Sequence, residues 1–155
     1  MKLALSADHR GASSARQLAE RLRSAGHEVT VLGDLGGTAL DYPIQAHLVG
    51  QSVSRGEAER GVLICGTGIG MCIAANKVKG VRAALAHDEL TAQISRTHND
   101  ANVICLSADL LGQRLIEKIV EVWLGTPFQG GRHLRRLEEI AAIEDGRDPG
   151  GGQSA

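Results

Sequence analysis

The chain has 155 residues, of which 43% are hydrophobic and 23% charged, and its formal net charge is -1. This is the composition of one globular domain with a single core; it excludes disorder, and it offers neither the basic excess of a nucleic-acid binder nor the charge block of a membrane-surface protein. The aromatic residues are Tyr42, Trp123 and Phe128 alone, too few for a platform on which bases could stack.

The amino-terminal residues turn polar at once, with no apolar run for a signal peptide or a membrane span. A short apolar strand is expected over residues 2–6, ending at Ala7, Asp8 and His9. Residues 12–25 read as an amphipathic helix, with Ala15, Leu18, Ala19 and Leu22 on one face and Gly26 as its stop. A second strand follows at 28–32, then a glycine-rich loop at 33–38. Tyr42 and Pro43 open a helix to about Arg55, with the proline in its first turn. Residues 61–65 form a continuous apolar run of the kind buried on both faces of a sheet. A helix is expected at 68–77, a strand at 81–86, a helix at 89–96, a strand at 102–106, a long helix at 110–124 and a last helix at 132–144. Residues 1–144 thus make one domain. The Gly-, Asp- and Pro-containing tail, 145–155, is expected to be disordered.

Strands alternating with helices predict a three-layer α/β/α sandwich, a Rossmann-like five-stranded parallel sheet with helices on both faces. Ligands in such folds bind beyond the carboxyl ends of the strands. Asp8 and His9 follow the first strand, Asp41 and Tyr42 the loop after the second, and Cys65 to Gly68 the third. That coincidence points to a site.

Residues 64–70, Ile-Cys-Gly-Thr-Gly-Ile-Gly, read as a strand end, a glycine turn and a helix start. Glycines let consecutive backbone N–H groups point into one cavity, and the helix terminus adds partial positive charge. Such a cradle can hold a phosphate or the oxyanion of an enediolate. A dinucleotide fingerprint is only partly met, because Met71 stands where the third glycine belongs, although the acid Asp88 lies near the expected distance. A non-catalytic nucleotide-binding module is therefore the rival from another class. Cys65 has two readings, an inert buried thiol or a base whose thiol is acidified by the helix terminus. Cys72 and Cys105 read as core residues. Three cysteines without a framework spacing imply reduced thiols and a cytoplasmic home, and no pair has the spacing of a structural metal site.

Several segments, taken in order, resemble one family. They are Asp8-His9-x-Gly11, Asp41-Tyr42-Pro43, residues 64–70, Ala74-Ala75-Asn76-Lys77, His98-Asn99-Asp100-x-Asn102, and Gly130-Gly131-Arg132-His133 with Arg136. The chain resembles the type B ribose-5-phosphate isomerases, relatives of the galactose-6-phosphate isomerase subunits, from Lys2 to about Glu144. The resemblance implies a metal-free and cofactor-free aldose–ketose isomerisation of a sugar phosphate through a cis-enediolate. It implies that Cys65 moves the proton between C1 and C2, that Thr67 and His98 assist ring opening, and that the amides of Gly66, Gly68, Ile69 and Gly70 hold the enediolate. It places Asp8, Tyr42 and Asn99 on the sugar and His9, Arg132 and Arg136 at the phosphate. It also implies a homodimer or a homotetramer with active sites shared between subunits. Arg132 and Arg136 lie four apart, one helix face that can clamp a dianion or simply be solvated. His27, His47 and His87 match no functional position.

Asp109 departs from this pattern, since many of the family carry a phosphate-contacting arginine there. Three readings stay open: a pair with Arg132 or Arg136, a contact to another sugar hydroxyl, or the N-cap of a helix starting at Leu110. A changed site would admit a four- or six-carbon sugar phosphate.

Overall fold

The structure, a computed structural model, describes residues 1–36 and 41–150. Gly37 and Thr38 of the expected loop, and residues 151–155 of the tail, lie outside the described residues. The elements are β1 (Lys2–Ala7), α1 (Ala12–Ser24), β2 (Glu28–Val31), α2 (Tyr42–Ser54), β3 (Arg60–Cys65), α3 (Ile69–Ala75), β4 (Ala83–Leu85), α4 (Glu89–Thr97), β5 (Val103–Ser107), α5 (Gln113–Gly125) and α6 (Arg132–Glu144). All strand pairs are parallel, in the order β2-β1-β3-β5-β4. The expected α/β/α sandwich is observed.

The three central strands are apolar on both faces because both faces are covered. Leu3, Leu5, Val62, Ile64, Ile104 and Leu106 pack against α1 and α5, where Leu18, Ile116, Ile119 and Trp123 complete one core. Ala4, Leu63, Val103 and Cys105 meet α2 and α3 through Ala46, Val49, Met71 and Ala75 in a second. Each large aliphatic side chain fully buried in this way contributes about 1.5–3 kcal/mol.

Boundaries shift from expectation by up to three residues, most at β4 and α5. β4 is three residues long, and side-chain amides take the N–H groups at its start: Asn102 Oδ1 accepts from the Arg82 N–H at 2.8 Å and Asn76 Oδ1 from the Ala83 N–H at 2.9 Å. α5 starts at Gln113 rather than Leu110, because the Leu110 N–H is taken by Ser107 Oγ at 3.0 Å and the chain turns once before Gly112 caps the helix.

The chain leaves β1 through a tight corner at Gly11. A Cβ there would lie 2.6 Å from the Ile64 carbonyl carbon. Backbone cannot yield as a side-chain tip can, so Gly11→Ala is expected to cost on the order of 3 kcal/mol. Thermal unfolding of the variant checks it; an unchanged Tm would contradict the packing.

α6 is joined to the body at both ends. Gln129 N–H donates to the Thr97 carbonyl at 3.1 Å before the helix, and the Gly80 N–H donates to Glu144 Oε1 at 2.8 Å near its end. Lys79 pairs with Asp145 at 2.6 Å. Between them Leu134, Ile140 and Ile143 are exposed at 52%, 43% and 62%. Among the described residues, no helix is long and apolar enough to cross a membrane.

Candidate active site

The loop after β3 is fixed from the neighbouring strand β5. The Gly66 carbonyl accepts from Ser107 Oγ at 2.6 Å and from the Asp109 N–H at 3.0 Å, while the Cys65 carbonyl accepts from the Ala108 N–H at 2.8 Å. Ser107, wholly buried, is thus a positioning residue that the sequence did not single out. Gly68 has φ +79°, and a Cβ there would sit 2.5 Å from Leu85 Cδ1, so the turn into α3 requires glycine. The Tyr42 ring lies on Gly70, whose added Cβ would be 2.6 Å from Tyr42 Cε2. Thr67 and Ile69 are exposed at the loop tip.

The Cys65 thiol lies inside this cradle, 5% exposed, and its Sγ accepts from the Gly68 N–H at 3.1 Å. The expected acidification is not what the structure shows. Burial pushes the Cys65 thiol above its ordinary value, outweighing the N–H groups of Gly68, Met71 and Thr67, and the Asp8 carboxylate adds to the rise. Cys72 is half-buried and donates to the Ala83 carbonyl at 3.4 Å, and Cys105 is in the core. The Cys105 thiol lowers Cys72 to about 7, while burial raises Cys105 strongly.

Asp8 and His9 stand beside the loop. Asp8 is buried, and its Oδ1 accepts from the N–H groups of Arg10 and Gly11 at 2.9 and 3.0 Å; His9 is exposed. Asp109 overhangs Gly66, with its Oδ2 2.9 Å from where a Cβ would be. It does not cap α5, and it does not meet the Arg132 or Arg136 of its own chain. It pairs instead with Arg10, whose Nε and Nη2 donate to Oδ2 at 2.9 and 2.8 Å, and this carboxylate holds the guanidinium above its ordinary pKa. Arg10 sits 99 positions away in sequence, and its place next to Asp8 and His9 was the one available signal.

His98, Asn99, Arg132 and Arg136 form a second cluster, which one chain does not bring to Cys65. α4 runs back from the carboxyl end of the sheet, so His98, its C-cap, precedes the first residue of β5. Val103 pairs with Gly61 at the start of β3, whereas Cys65 pairs with Ser107 at the end. Four residues of strand separate the two levels, about 13 Å. The His98 ring stacks on His133 with centroids 4.2 Å apart, which places the start of α6, with Arg132 and Arg136 exposed on it, beside His98. Burial, then the charges of His98, Arg132 and Arg136, keep His133 below the ordinary imidazole value. Asp100, at φ +44°, is held by Arg96 at 2.7 Å and Arg82 at 3.1 Å, and it fixes the turn that presents His98 and Asn99. The spacing of Arg96 and Asp100, four apart, was the legible signal for that pair.

The first cluster can therefore hold an oxyanion beside a thiol and the second can hold a phosphate-sized anion. Among the described residues, no group of three or more His, Cys, Asp or Glu side chains is arranged to hold a metal ion.

A model of the family described as Ribose/Galactose Isomerase matches residues 3–140. The chain is 42% identical to ribose-5-phosphate isomerase B of Escherichia coli over 95% of its own length and 99% of that protein's. It is 38% identical to a D-erythrulose-4-phosphate isomerase of Pectobacterium atrosepticum, covering 93% and 95% of the two chains. The structure of Clostridium thermocellum ribose-5-phosphate isomerase B superposes with a TM-score of 0.93 at 43% identity, covering 94% of this chain and 99% of that one. Fold, loop and matched length together place this chain in the ribose/galactose isomerase family, as an aldose–ketose isomerase.

Proposed function

We propose that this isomerase interconverts D-ribose 5-phosphate and D-ribulose 5-phosphate, in active sites shared between two copies of the chain. The observation that carries the chemistry is the Cys65 thiol facing the Gly68 N–H inside a glycine loop at the carboxyl end of β3. In this reading the Cys65 thiolate takes the proton from C2 of the open-chain aldose, breaking C–H and forming S–H. The N–H groups of residues 66–70 hold the enediolate oxygen, the O2 hydroxyl proton passes to O1, and the proton on sulfur returns to C1 as C2=O forms. Asp8 and Tyr42 border the sugar. Thr67 and the partner copy's His98 assist ring opening, Asn99 of that copy takes a hydroxyl, and its Arg132 and Arg136 join His9 at the phosphate.

Two features support the shared site. The two clusters lie at opposite ends of the sheet, and α6 carries exposed Leu134, Ile140 and Ile143 next to the second cluster. Exposed apolar side chains on more than one side of a helix are what a second copy can cover. The three free cysteines accord with a cytoplasmic home.

A second reading, the same chemistry on a four-carbon sugar phosphate, draws on Asp109 and on the likeness to the erythrulose-phosphate enzyme. A panel of four-, five- and six-carbon aldose phosphates, run with EDTA-treated protein, decides between them. The expected result is the highest kcat/KM on ribose 5-phosphate. Turnover of a tetrose phosphate with none of ribose 5-phosphate would reassign the substrate, and a protein that bound a dinucleotide tightly and turned over no sugar phosphate would sink the isomerase reading.

A further inference from the structure

Arg10 is the unassigned position between His9 and Gly11, yet the fold immobilises it at both ends. Its backbone N–H is held by Asp8 Oδ1 at 2.9 Å. Its guanidinium is gripped by Asp109 through Nε and Nη2, at 2.9 and 2.8 Å. The stem crosses the active loop so closely that a Cβ on Gly66 would lie 3.0 Å from Arg10 Cδ and Nε. An ion pair in which the arginine is 56% exposed adds little to stability. What it does provide is a fixed direction. Asp109 occupies the Nε edge of the planar fork, and among the described residues Nη1 has no hydrogen-bond partner. The outer edge, Nη1 with the second proton of Nη2, is a ready bidentate donor for an anion.

The charges around the loop call for such a donor. Asp8 and Asp109 are two carboxylates flanking a cradle that must admit a dianionic substrate, and Arg10 lies between them. We propose that Arg10 binds the phosphate of the sugar substrate through its outer edge, and that Asp109 is the positioning residue that aims it. This rests on the isomerase reading above and adds to it a phosphate ligand contributed by the same copy as Cys65.

The test is steady-state kinetics with ribose 5-phosphate, together with calorimetric titration of the free protein with inorganic phosphate. Arg10→Gln is expected to raise KM and the phosphate Kd together by about tenfold or more, the loss of a charge-assisted pair, with kcat within about threefold. Asp109→Asn should move the same two constants in the same direction by less, and Asp109→Glu should restore them. Arg10 is exposed, so the variants should fold, and circular dichroism checks it. A phosphate Kd and KM within twofold of wild type in folded Arg10→Gln would reduce the pair to a surface ion pair and overturn the proposal. Wild-type protein without turnover of any sugar phosphate would instead overturn the isomerase reading, and the phosphate titration would still decide Arg10.

Discussion

Cys65→Ala is expected to lower kcat by about a hundredfold to ten-thousandfold, the range over which a positioned general base acts, with KM nearly unchanged. In the proposed reaction the thiol is the reactive group inside the loop, and it accepts a hydrogen bond from Gly68 rather than donating to a structural partner. Removing one sulfur atom from a site 5% exposed leaves the strand pairing of β3 intact, so the variant should fold. The pH profile separates the candidate thiols. Because burial raises Cys65 above its ordinary 9.0, its thiolate fraction grows with pH, and kcat/KM should climb steadily through pH 8 without a plateau. A profile that levels off near pH 7 would match Cys72 instead, which lies at about 7. Near-normal kcat in Cys65→Ala would remove Cys65 as the base, and a loss confined to Cys72→Ala would transfer the role.

The order of strands and helices was legible because each element carries its own period. Residues 61–65 are apolar without interruption, and they lie in a strand buried on both faces; Ala15, Leu18, Ala19 and Leu22 repeat at helical spacing, and all four are buried. The loop was legible because glycine, cysteine and threonine are adjacent there. Pair interactions across the chain were not. Asp109 looks like a helix cap because its local sequence is that of a cap, and its true partner, Arg10, arrives by way of β1. The Cys65 thiol likewise depends on burial by α2, α3 and β5, a quantity that helix position does not reveal. The separation of the two clusters could have been deduced. A right-handed crossover from β4 to β5 returns the end of α4 to the amino end of the sheet, so a histidine there cannot reach the end of β3 in its own chain.

That separation makes complementation the most demanding test of a shared site. Take Cys65→Ala as one inactive parent and Arg132→Gln/Arg136→Gln as the other. The second should lose about a hundredfold or more in kcat/KM, since two charge-assisted phosphate contacts go at once. Both arginines are exposed on α6, so their loss should spare the fold. When the two parents exchange subunits at random, half the dimers are mixed. Each mixed dimer holds one site with both defects and one with neither, so activity should return to about a quarter of wild type. Sites contained within one chain would give no recovery. The converse mixture sharpens the result: a chain carrying all three changes, exchanged in equal amount with wild type, leaves every mixed dimer without an intact site. Activity should then be about a quarter of that of the same total amount of wild-type chain, against half if each chain worked alone. Native mass spectrometry establishes that mixed dimers have formed. Mixed dimers without recovery in the first experiment, and half activity in the second, would show that Arg132 and Arg136 serve some other role than completing the Cys65 site of a partner copy.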